Sequence, residues 1–92
     1  MPSYLVETFL PHGGAGERTA GERRARSAAE ELTRNGTRVR FDYTIHIPED
    51  EICFFVFDAP SSKDVALAAH LAELRPLRLV EAVSSARKKE ER

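Results

Sequence analysis

The chain has 92 residues, with 14 Lys and Arg against 15 Asp and Glu, which makes one small domain with little room for a second core. The near-neutral charge argues against nucleic acid as a partner, since binding phosphates calls for a clear basic excess. No stretch is apolar for long enough to cross a membrane, and the N-terminal MPSYLVETFLP has no basic lead into an unbroken apolar run, so neither a membrane anchor nor a signal peptide is expected.

SYLVETFL, residues 3–10, is a β-rich run closed by Pro11 and Gly13-Gly14, with Tyr4, Val6, Thr8 and Leu10 on one face and Leu5, Glu7 and Phe9 on the other. Residues 16–36, GERTAGERRARSAAEELTRNG, have helical period, with a stripe of Ala25, Ala28, Ala29 and Leu32 and a stop at Asn35-Gly36. A face made mainly of alanine either packs close against a sheet or leaves room there for a ligand. The second strand, TRVRFDYTIHI over residues 37–47, alternates and assigns Val39, Phe41, Tyr43, Ile45 and Ile47 to one face.

PEDE, residues 48–51, turns the chain into a third strand, ICFFVFD, that is oily on both faces. Ile52, Phe54 and Val56 fill one side and Cys53, Phe55 and Phe57 the other. The single cysteine suits a reducing, cytoplasmic setting and reads as a small buried hydrophobe. In APSSKDVALAAHLAELRP, Ser61 and Asp64 have capping-box spacing, Leu67, Leu71 and Leu74 form a stripe, and His70 falls at its border. LRLVEAV, residues 77–83, is the last strand. The domain is assigned to residues 1–84, and a charged, solubilising tail to residues 85–92.

The order β-α-β-β-α-β is the α+β, ferredoxin-like arrangement: a four-stranded antiparallel sheet with two helices on one face. The helices cover one side of the third strand and leave the other bare. Aromatic side chains bury about 150–250 Å² each, so an uncovered row would approach the ~300–600 Å² that monomers seldom exceed. The expected cover is a second copy of the same sheet, related by a two-fold axis.

YLVETFLP, IHIPEDEICFFVFDAPS and VALAAHLAELRPLRLVEAV together resemble the small bacterial proteins with a dimeric ferredoxin-like α+β barrel, a family of unknown function with a nickel-binding branch. The likeness spans residues 3–83 and implies a homodimer through the sheet face, with possible use of Ni²⁺. That branch has a histidine on its first strand and others near the end of its second helix. At the corresponding positions this chain has Glu7 and Thr8 on the strand and His70 on the helix, with Arg75 before Pro76. His70, Glu7 and His46 are therefore the metal candidates, imidazole and carboxylate being acceptable nickel ligands. None of the histidines has the close spacing of a specific metal motif.

The alternative is a cofactor-independent enzyme of the cyclase, isomerase or oxygenase type, acting on a small hydrophobic metabolite between sheet and helices; it rests on analogy with similar folds. Glu7, Tyr43 and His70 are its candidates for proton transfer, with Arg40 or His46 as polarising groups. The alanine stripe of the first helix would supply the room. Glu7 can share a pocket with His70 only if it points to the helix side of the sheet. No nucleophile elbow, phosphate loop or cysteine cluster is present.

Overall fold

The computed structural model of the chain describes residues 1–85, so the tail expected over 85–92 lies outside the described residues except for Ser85. The elements are β1 (Ser3–Phe9), α1 (Ala15–Arg34), β2 (Arg40–Ile47), β3 (Ile52–Asp58), α2 (Ser62–Leu71) and β4 (Pro76–Ala82), with a single 3₁₀ turn, Pro48–Asp50, in the β2–β3 hairpin. The strands lie in the order β2-β3-β1-β4, every neighbouring pair antiparallel. This is the expected ferredoxin-like sheet, with both helices on one side and the other side open.

Local chemistry sets the helix ends. Gly36 sits at φ +99°, the left-handed position that only glycine takes without steric cost. It lets the Thr37 and Gly36 amides return to the Leu32 and Thr33 carbonyls and close α1. Ser61 caps α2, its hydroxyl accepting from the Asp64 amide and donating to the Asp64 carboxylate. At the far end of α2 the same reversal occurs without glycine: Glu73 is held at φ +60°, with its amide on His70 O and the Leu74 amide on Ala69 O.

The core lies between the sheet and the helices. Val6, Cys53 and Phe57 are fully buried from the sheet side and Ala25, Val65 and Ala68 from the helix side. Phe41 packs edge-on against Phe57, and Arg26 of α1 lies 5.0 Å over the Phe41 ring. Complete burial of a phenylalanine such as Phe57 contributes roughly 1.5–3 kcal/mol, and the small alanines opposite let the helices come that close.

Two sequence expectations change. The clean alternation of β2 is broken by a bulge between Phe41 and Tyr43, so Phe41 faces the helices while Tyr43, Ile45 and Ile47 face the open side. In α2 the buried stripe is Val65, Ala68, Ala69 and Ala72, with Leu74 just beyond the helix, and Leu67 and Leu71 are exposed. The close helix–sheet approach admits alanine and turns the leucines outward. Among the described residues no helix is long and apolar enough to cross a membrane.

Candidate functional site

A cavity of about 300 Å³ opens at the hairpin end of the helix-covered side, between α1, the sheet and the α2–β4 connection. Its floor is β1 and β3, where Thr8, Cys53 and Phe55 point toward the helices. Thr8 and Cys53 are cross-strand partners, and the Thr8 hydroxyl donates to the Cys53 carbonyl at 2.9 Å. Arg18, Gly21 and Arg24 of α1 form the wall, and Glu73, Leu74 and Arg75 form the rim.

Gly21 explains how the helix comes so near at this point. A Cβ there would stand 2.9 Å from the Phe55 ring, so any larger residue must displace the helix or the ring. The alanine stripe does not line this cavity: Ala25, Ala28 and Ala29 are buried in the core, and the cavity lies toward the N-terminal end of the helix. The rim is held by unusual backbone, since Glu73 takes a left-handed conformation that costs a side-chain-bearing residue about 1–2 kcal/mol.

Polar groups converge here on the helix side. His46 and Cys53 are cross-strand partners, extending the row begun by Thr8. His46 Nδ1 lies 3.4 Å from an Arg18 terminal nitrogen, and Thr44 donates to the Glu22 carboxylate. Because a guanidinium only donates, this contact is a hydrogen bond when Nδ1 is the unprotonated nitrogen of the His46 ring. The His46 Nε2 is buried with no hydrogen-bond partner among the described residues. Burial pushes the Cys53 thiol up, against a weaker pull from the Arg18 charge, so the sulfur stays protonated and is a poor nucleophile at neutral pH.

The sequence candidates fall in three places. Glu7 lies on the open side of the sheet, paired with Arg78 at 3.2 Å, because residues 5, 7 and 9 of β1 face away from the helices. The shared pocket for Glu7 and His70 therefore does not form within the chain. Tyr43 is on the same open side and half exposed, a consequence of the bulge. Arg40 is also there, bonded to the buried Asp58 at 2.5 Å, while Ser3 donates to the other Asp58 oxygen at 2.6 Å. The Asp58 hydrogen bond and charge raise the Arg40 pKa above its ordinary value.

His70 is exposed on α2, in a second, more open cleft of about 510 Å³ that shares Arg24, Glu73, Leu74 and Arg75 with the cavity. It is thus at the cavity's outer edge, while His46 is near the floor. Glu7, His46 and His70 are not brought together, and among the described residues no group of three His, Cys, Asp or Glu side chains could hold a metal ion. Within one chain the donor set does not fit nickel. Arg18 and Gly21 were missed from the sequence, and Arg24 was read with Arg23 and Arg26 as part of a solvated helix face; a glycine inside an otherwise strong helix was the available signal.

No protein-family model matches the chain, and no curated protein matches it either. Among solved structures it is similar to the crystal structure of SCO4226 from Streptomyces coelicolor A3(2), with a TM-score of 0.65 over 90% of this chain and 98% of that one. The two are 16% identical, so the likeness carries the α+β fold and no more.

Proposed function

We propose that the chain is a homodimeric binding domain for a small organic molecule, held in the cavity between α1 and the sheet. The observation that carries this reading is the cavity itself. It has the volume of a small ligand site, with an apolar floor and a few fixed polar groups at its wall, the usual make-up of such sites. The homodimer is supported by the open side of the sheet. Phe9, Tyr43, Ile45 and Ile47 are exposed there, with charged pairs at Arg40–Asp58 and Glu7–Arg78 on the same side, the mixture of apolar and polar surface that interfaces between proteins bury. A cytoplasmic address rests on the one free, buried thiol.

Nickel binding is the alternative carried by the family resemblance, and a cofactor-independent enzyme is the other. Neither gains a catalytic or ligating cluster from the described residues. The test has two parts. Titration of ¹⁵N-labelled protein with benzyl alcohol, a neutral probe, is expected to shift the Thr8, Gly21, Phe55 and Leu74 amides saturably. Native mass spectrometry with added Ni²⁺ should then find no stoichiometric uptake that His70→Ala removes. Metal uptake lost in that variant, with no response of the cavity amides, would overturn the organic-ligand reading.

A further inference from the structure

Three arginines, Arg18, Arg24 and Arg75, and two glutamates, Glu17 and Glu73, line the cavity, which leaves its charged lining one unit positive. Among the described residues no ion pair joins any of these arginines to a carboxylate. Elsewhere the chain does pair its charges, at Arg40–Asp58 and Arg78–Glu7.

Arg24 is the most firmly placed of the three. Its Nε donates at 2.7 Å to the carbonyl of Ala72, the buried C-cap of α2, so the guanidinium bridges the two helices. One of its terminal nitrogens lies 3.9 Å from the point where a Cβ on Gly21 would stand, which puts the guanidinium beside the close contact of Gly21 with the Phe55 ring at the cavity wall. With Nε engaged, the terminal N–H groups are free to meet an acceptor in the cavity, and two such groups match the spacing of a carboxylate. The hydrogen bond to Ala72 fixes the side chain in advance, so a ligand loses less entropy in ordering it.

The rest of the lining is apolar where the ligand body would lie. Leu10, Phe55 and Leu74 flank the opening, and Leu77 stands exposed at its mouth. At about 30 Å³ per water, 300 Å³ corresponds to roughly ten waters, which suits a single ring or a short branched chain.

We propose that the cavity selects a small monocarboxylic acid with an aromatic or branched apolar body, its carboxylate held by Arg24 and its body lying over Phe55 beside Gly21. This names the ligand class of the site proposed above and rests on that reading. Arg18 and Arg75 add positive potential at the wall and rim. A neutral isostere would fill the same space without satisfying the guanidinium.

The experiment is an NMR titration of the full chain with benzoate, and separately with benzamide and benzyl alcohol, at neutral pH. Benzoate is expected to shift the Gly21, Phe55, Leu74 and Arg75 amides and to bind at least tenfold more tightly than benzamide. Arg24→Gln should abolish that preference by weakening benzoate far more than benzamide, and Arg24→Lys should restore part of it. A native-like spectrum of Arg24→Gln excludes simple unfolding. Equal binding of all three probes at the cavity would overturn the acid inference and leave the ligand site standing. Binding of none of them would overturn both.

Discussion

The two sides of this sheet are built from the same strands and are left in opposite conditions. On the helix side the side chains of β3, Cys53, Phe55 and Phe57, are almost completely buried, and the cavity beside Gly21 opens next to them. On the other side Val56 is buried, but Ile52 and Phe54 are only half-buried, and neighbouring Tyr43 and Ile45 are 51% and 41% exposed. The apolar residues of β3 are therefore divided evenly between a face the chain covers and a face it does not. The helix side owes its cover to small residues that bring α1 and α2 close; nothing in the described residues does the same for the open side. The contrast divides the molecule into a side proposed for a ligand and a side proposed for a second copy.

The largest expected effect separates the two faces of β3. Phe57→Ala removes a ring with 0% exposure from a close-packed core and should cost about 3–5 kcal/mol, enough to leave so small a domain largely unfolded. Phe54→Ala, three positions earlier on the same strand and on the open side, should leave a folded chain and weaken self-association instead. Urea denaturation with sedimentation of the folded fraction measures both. If the two variants lost equal folding stability and Phe54→Ala associated normally, the division between the faces would fail.

A smaller effect comes from the helix side alone. The Cys53 thiol has its pKa raised by burial, so above about pH 8.5, where an ordinary thiol ionises, the unfolded chain sheds a proton that the folded chain keeps. The unfolded state then binds fewer protons, and stability falls as pH rises through that range. Below it, the contribution is fully present. Denaturation midpoints between pH 7 and pH 10 should decline in the native chain and decline less in Cys53→Ala. A parallel decline in both would remove Cys53 as the cause.

Much of the fold was legible in the sequence because local signals agreed. The Asn35-Gly36 stop, the Ser61 cap and the alternation of β1 each appear as expected, and together they leave few other topologies. The phase of β2 was not legible: Phe41, Tyr43, Ile45 and Ile47 alternate without interruption in sequence, and the bulge that turns the last three outward depends on pairing with β3. Nor was the choice in α2 of alanines over Leu67 and Leu71, which follows from how closely the helix meets the sheet rather than from hydrophobicity.

The candidate site was less legible still. Reactive residue types drew attention to Glu7 and Tyr43, which lie on the open side, and to His70, which stands at the outer edge. The cavity wall comes instead from Arg18, Gly21 and Arg24, whose role depends on a glycine that admits Phe55 and on a carbonyl supplied by α2, 48 residues further on. No spacing along the chain encodes that meeting. Conversely, the oily doubling of β3 was visible from the start, since it needs only the period of a strand.

The central claim is that both faces of β3 are covered, one by the chain's own helices and the other by a second copy. Sedimentation equilibrium of the chain beside Ile45→Lys, across the micromolar range, tests it most directly. The expected result is the mass of two chains for the parent and of one folded chain for the variant, because a lysine beside Phe54 on the open face would have to be buried unpaired in the interface. A parent that remains a single folded chain at every concentration, with its open face in water, would contradict it.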